Sequence, residues 1–144
     1  MLAGWTRQVV RWARRKSPWV LHLNSGGCNG CDIEILDLLT PRYDVERLGI
    51  LKEASPRHAD ILLCTGPVTR QTRDPLRRIY EQMPAPKWVV AIGGCACSGG
   101  LFAEGYNVLG GVDQVLPVDV YVPGCPCRPE SMIAGIARLL EEMA

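Results

Sequence analysis

Three times in this chain a short apolar run stops at glycine and is followed at once by cysteine. Residues 19–24 lead into Gly26-Gly27-Cys28-Asn29-Gly30-Cys31. Residues 87–92 lead into Gly93-Gly94-Cys95-Ala96-Cys97. Residues 118–122 lead through Pro123 into Gly124-Cys125-Pro126-Cys127. Each run has the length and β-branched content of a strand, and helical patterns lie between them. Strands alternating with helices form a parallel sheet covered on both faces. In open sheets of this kind, ligands gather beyond the carboxyl ends of the strands. The three cysteine groups are therefore expected to converge on one edge of an α/β fold.

The remaining pattern fills in that fold. Residues 32–39 read as a helix stopped by Thr40-Pro41, 43–48 as a second strand, and 60–64 as a third, bounded by Thr65-Gly66-Pro67. Residues 74–82 form a helix with Pro75 in its first turn. Residues 130–143 form a closing helix with Met132, Ile133, Ile136, Leu139 and Leu140 on one face. The stretch 95–117 reads as a functional loop with short helical turns. Ahead of Pro18, Leu2, Trp5, Val9 and Trp12 recur at helical spacing, with Arg7, Arg11, Arg14 and Arg15 largely off that stripe. The expected division is an amphipathic helix over 1–17 and an α/β domain over 18–144.

Five of the 16 basic residues lie in this head, which has no acid; the other 11 share the body with all 15 acidic residues. A basic head on a mildly acidic body implies a partner for the head. The net charge of +1 gives no global bias toward nucleic acid. No apolar run reaches the ~20 residues that span a bilayer, and arginines interrupt the head where a signal peptide would be apolar. The expectation is a cytoplasmic protein held peripherally at the membrane surface.

Seven cysteines in an α/β sequence without a secretion signal read as reduced thiols and metal ligands rather than disulfides. Cys-x-x-Cys alone also serves zinc sites and thioredoxin-like redox pairs. Soft thiolates from three loops suit an iron–sulfur cluster, which takes four cysteines. The chain carries no nucleophile–base pair, phosphate loop or dinucleotide fingerprint, so electron transfer is favoured over chemistry on an organic substrate.

Gly27-Cys28-Asn29-Gly30-Cys31-Asp32-Ile33-Glu34, Gly93-Gly94-Cys95-Ala96 and Gly124-Cys125-Pro126-Cys127-Arg128-Pro129-Glu130, together with Leu39-Thr40-Pro41-Arg42-Tyr43-Asp44, resemble the small subunit of nickel–iron hydrogenases. They also resemble the homologous 20 kDa cluster-bearing subunit of respiratory complex I. The complex I branch has adjacent cysteines in the first motif; the Cys-x-x-Cys here is the hydrogenase form. The resemblance implies that Cys28, Cys31, Cys95 and Cys125 bind one 4Fe–4S cluster. Because the sequence ends 19 residues after Cys125, the resemblance narrows to energy-converting, membrane-bound (group 4) hydrogenases with a single cluster in this subunit.

The implied fold is α/β, a flavodoxin-like doubly wound parallel sheet with the cluster at the carboxyl ends of its strands. The implied partners are a nickel–iron large subunit, a ferredoxin-like iron–sulfur subunit and integral membrane subunits. The implied activity is hydrogen evolution or uptake by the assembled complex and none by this chain alone. The alternative is the equivalent subunit of a complex I-like respiratory or antiporter-type complex without nickel.

The family's last motif usually reads Gly-Cys-Pro-Pro, so Cys127 stands where a proline is expected, and Cys97 is extra. Both read as packing thiols beside the site, and Cys64 as a small buried residue within a strand. His22 reads as a packed, hydrogen-bonded histidine. Glu34 reads as a helix-start acid or as a proton-relay or interface residue; Arg42 and Arg128 read as surface charges, with Arg128, directly after the fourth implied ligand, alternatively offsetting cluster charge or bridging to the partner subunit.

Overall fold

The computed structural model describes residues 2–143, with side chains described from Trp5 onward except Arg7. Leu2 of the expected stripe thus lies outside the described side chains. Helix α1, Leu2–Lys16, precedes the sheet. Strands β1, Trp19–Asn24, β2, Leu51–Lys52, and β3, Ile61–Thr65, follow, and then the two-residue β4, Val68–Thr69. Next come β5, Trp88–Ile92, β6, Val108–Gly110, and β7, Val120–Val122. Helices α2, Gly30–Asp37, α3, Arg73–Gln82, α4, Gly94–Ser98, and α5, Pro129–Glu142, lie between or after them.

The main sheet is parallel throughout, in the order β2-β1-β3-β5-β7. Counting only its own strands along the chain, that order is 2-1-3-4-5, the flavodoxin-like doubly wound arrangement. Strand ends are in register: Asn24 pairs with Thr65, Thr65 with Ile92, and Ile92 with Val122. The carboxyl ends of the four longest strands of this sheet therefore form one ledge. Strands β4 and β6 form a separate antiparallel ribbon.

Strand β3 is central and buried along its whole length, as expected for a parallel strand covered on both faces. Its side chains alternate between two cores. Ile61 and Leu63 pack with Ile35 and Leu38 near α2 and with Met132, Ile136 and Leu139 of α5. Leu62 and Cys64 pack with Leu76 of α3, Ala96 of α4, Val112 and Leu116. Each fully buried Leu or Ile contributes roughly 1.5–3 kcal/mol of transfer free energy. Pro129 occupies the first turn of α5, where its missing N–H costs nothing.

One expected element is corrected. Residues 43–48 are not a strand; Val45–Leu48 is a 3-10 turn. Asp44 and Gly49 both take positive φ, 43° and 87°, so the chain reverses on either side of the turn. Val45 alone in this segment is buried. The second strand lies just beyond, where the buried Ile50 brings Leu51 and Lys52 alongside β1.

Helix α1 leaves its aromatic stripe in solvent: Trp5 is 67% and Trp12 63% exposed. It meets the body through Arg14, which pairs with Asp60 and donates to the Pro86 carbonyl. Among the described residues, no helix is long and apolar enough to cross a membrane.

Candidate metal centre

The ledge of strand ends is where the cysteines meet. The loop after β1 carries Cys28, and Cys31 lies in the first turn of α2. Cys95 lies in the first turn of α4, directly after β5, and Cys125 follows β7. Hydrogen bonds lock these segments to one another. Ser25 donates its N–H to the Thr65 carbonyl at 2.8 Å and its hydroxyl to the Thr65 and Gly66 carbonyls. Gly93 and Gly94 donate to the Val122 and Gly124 carbonyls, both at 2.8 Å. The cysteine-bearing turns are thus extensions of the sheet.

All four expected ligands line one cavity of about 440 Å³, counting its open mouth. Gly27, Gly30, Thr65, Gly66, Gly94 and Gly124 contribute to its walls. Cys28 and Cys125 form an exposed rim, while Cys31 and Cys95 sit half-buried. Two glycines make the close approach possible. A Cβ on Gly66 would stand 2.2 Å from the Gly27 nitrogen, so backbone packs directly on backbone there. A Cβ on Gly93, whose φ is +89°, would stand 2.6 Å from Cys31 Sγ.

The electrostatics describe a site short of positive charge. Burial pushes the Cys31 thiol up; the Cys127 backbone N–H, donating to its sulfur, opposes this, while Asp32, Cys28 and Cys125 add to the rise. Burial likewise raises Cys95, with Cys125, Cys28 and Cys31 acting in the same sense. A cationic group placed in the cavity would favour the ionised form of the Cys31 and Cys95 thiols. Among the described residues, no three His, Cys, Asp or Glu side chains close on a single point suited to one ion. All four thiols line the same cavity, and soft metal centres fit this donor set.

The other cysteines stay off the cavity wall. Cys64 is fully buried in the second core, its thiol pushed up to about 12 by burial alone. Cys127 is also fully buried, pushed up to about 11 chiefly by burial and then by Cys31, Cys97 and Glu34. Burial raises Cys97 too. Glu34 is half-buried, and Arg42 and Arg128 are exposed. Arg42 lies over the Tyr43 ring, whose hydroxyl donates to Glu130 at 2.9 Å.

Asp32 belongs to the site without being singled out by the sequence. It lines the cavity while only 7% exposed, and it accepts hydrogen bonds from His22, Asn24 and Thr65. A polar His22 inside an otherwise apolar strand is the one signal that points to it.

Fold and site together define a doubly wound α/β protein whose carboxyl-edge cavity is walled by cysteine thiols from three strand ends. The chain belongs to the family described as NADH ubiquinone oxidoreductase, 20 kDa subunit, whose model matches residues 28–139. It is therefore an electron-transfer subunit of an oxidoreductase complex, from a family that bears iron–sulfur clusters.

It is 55% identical over 129 residues to a protein of Pyrococcus furiosus described as a probable membrane-bound hydrogenase subunit, covering 90% of this chain and 77% of that one. It is 46% identical over 136 residues to an NADH-quinone oxidoreductase subunit of Citrifermentans bemidjiense, covering 94% and 78%. A chain of the membrane-bound sulfane sulfur reductase, an archaeal respiratory membrane complex, superposes with a TM-score of 0.83 at 43% identity, covering 94% of this chain and 75% of that one. The oxidised nickel–iron–selenium hydrogenase of Desulfovibrio vulgaris Hildenborough shares the fold, with a TM-score of 0.62 at 18% identity and coverage of 82% and 57%.

Proposed function

We propose that this chain is the electron-transfer small subunit of a membrane-bound nickel–iron hydrogenase, with one 4Fe–4S cluster held by Cys28, Cys31, Cys95 and Cys125. The observation that carries the proposal is the meeting of these four thiols, from three separate strand ends, around one cavity. A cluster bound there supplies one-electron chemistry at low potential. The chain's own residues do the rest. The sheet fixes the thiol directions, the Cys127 amide donates to the Cys31 sulfur, and the glycine walls bring backbone close to the bound group.

The surface supports a partner at the rim. Ile33 and Leu36 on α2, directly after Cys31, are exposed, as are Leu101 and Phe102, just after the Gly100 that abuts Cys95. Apolar residues grouped beside an exposed ligand rim fit a docking face for a catalytic large subunit. Electrons would then leave toward a ferredoxin-like subunit. The exposed tryptophans and arginines of α1 suit integral membrane subunits and the cytoplasmic face of the membrane.

The Cys-x-x-Cys form of the first motif and the Pyrococcus furiosus relative favour hydrogenase. The sulfane sulfur reductase likeness favours a second reading, the same subunit in a complex I-like assembly without nickel. Metal analysis and hydrogen turnover of the intact complex separate the two. The hydrogenase reading requires nickel and hydrogen evolution or uptake; a nickel-free complex that turns over no hydrogen overturns it in favour of the second.

A further inference from the structure

Directly behind the cavity wall lies a closed polar group built on one carboxylate. Asp32 Oδ1 lies 2.8 Å from His22 Nε2 in a hydrogen bond and receives the Thr65 hydroxyl. Asp32 Oδ2 receives the Asn24 side-chain amide. Asn24 turns its own Oδ1 to the N–H groups of Gly26 and Gly27, at 2.8 and 2.7 Å. One carboxylate therefore ties the ends of β1 and β3 to the first turn of α2, and through Asn24 it reaches the loop that carries Cys28.

The charge state follows from the bonding. The Asn24 amide and the Thr65 hydroxyl donate to different oxygens of Asp32, so both oxygens act as acceptors, the pattern of a carboxylate. His22 is the titratable partner of that carboxylate. Its side chain is 17% exposed, and burial lowers its pKa against the pull of Asp32, with Lys52 acting in the same direction as burial. Asp32 lines the cavity and adjoins Cys31 in sequence, and its field reaches the Cys31 sulfur.

We propose that Asp32 is a positioning residue that holds down the midpoint potential of the cluster by placing a fixed, buried negative charge at the cavity wall. The proposal rests on the reading of Cys28, Cys31, Cys95 and Cys125 as cluster ligands. An electron added to a group beside a fixed anion is opposed by their repulsion, and solvent screens this little at a buried site. Net charge and hydrogen bonding around the sulfurs are the levers by which a protein sets such a potential. Asp32 supplies the carboxylate, and its bonds to His22, Asn24 and Thr65 hold it in place at the cavity wall.

The test is a redox titration of the intact purified complex, followed by electron paramagnetic resonance, with iron and sulfide content measured on the same samples. The signal of this subunit is the one that disappears in Cys95→Ser. If no signal answers to that substitution, the cluster reading itself fails, independently of Asp32. With the signal assigned, Asp32→Asn preserves shape and removes charge. The expected result is wild-type iron content with an upward shift in midpoint potential. An unshifted potential overturns the proposal and leaves Asp32 a purely structural tie. Should Asp32→Asn not take up iron, His22→Lys sets a cation against the same carboxylate. The potential must then rise, and an unaltered value again overturns the proposal.

Discussion

Arg14 Nε stands 3.0 Å from Asp60 Oδ1, and this ion pair links α1 to the sheet at the start of β3. The second Asp60 oxygen accepts the Trp19 N–H at 3.2 Å. Burial raises the Asp60 pKa, while the Trp19 hydrogen bond and then Arg14 pull it back. Truncating Arg14 leaves a buried carboxylate with a backbone partner alone. Arg14→Ala is therefore expected to cost about 1–3 kcal/mol in denaturant unfolding. The double variant Arg14→Ala/Asp60→Asn should recover part of that loss, because the uncompensated charge is gone.

The cysteines should sort into two groups by iron content. Serine at position 28, 31, 95 or 125 should lower iron and sulfide in the purified complex. Alanine at 64, 97 or 127 should leave both near wild type. Cys64→Ala should cost only roughly 1 kcal/mol, the loss of one small buried group. Iron lost from Cys97→Ala or Cys127→Ala would mean that the ligand set has been drawn wrongly.

Gly93→Ala should empty the site with every cysteine still present. The new methyl would sit 2.6 Å from Cys31 Sγ on a residue with φ of +89°. Both the contact and the backbone strain act against it. A methyl on Gly94 would meet the Gly124 carbonyl oxygen at 3.8 Å, an ordinary van der Waals contact. Gly94→Ala therefore serves as the control that retains iron.

His22 gives stability a slope with pH. Its folded-state pKa lies below the ordinary 6.5 because burial outweighs the attraction of Asp32. The unfolded chain therefore binds the proton more readily than the folded one. The contribution of His22 is complete above about pH 6.5 and is lost as pH falls toward the folded value. Urea midpoints measured across this range should decline toward acid in the wild type. His22→Gln should reduce that slope, and equal slopes would show that the imidazole titrates as if unfolded.

Removing residues 1–16 should weaken attachment to the membrane fraction and leave iron content unchanged. Trp5, Val9 and Trp12 are exposed, so their apolar stripe makes little contact with the body. Washing membranes at moderate salt is the measurement. Equal retention of full-length and truncated forms would show that α1 serves only its own domain.

Much of the fold is legible in the sequence because the local signals agree with the global one. β1 is an apolar run between Pro18 and glycine, β3 an apolar run ending at Thr65-Gly66-Pro67, and α5 a clean helical stripe behind Pro129. Thin local signals mislead. Residues 43–48 resemble a strand because Tyr43 and Val45 alternate with polar neighbours, yet two positive-φ residues turn the chain there. The β4–β6 ribbon pairs Val68 with Gly110 across a long stretch of chain, and nothing near either residue announces it.

The four thiols are legible as one site because each follows a strand end, and parallel strands share a carboxyl edge. Asp32 is not, since its partners are polar residues of two different strands, and a carboxylate next to a cysteine reads like any helix-start acid. His22, expected to be packed and hydrogen-bonded, is so through Asp32.

Under the proposed function, the exposed rim formed by Cys28 and Cys125 sets an order of assembly. A thiol edge that faces solvent in the single chain is reachable by an iron–sulfur donor only until a neighbour covers it. Loading must therefore precede docking of the catalytic partner.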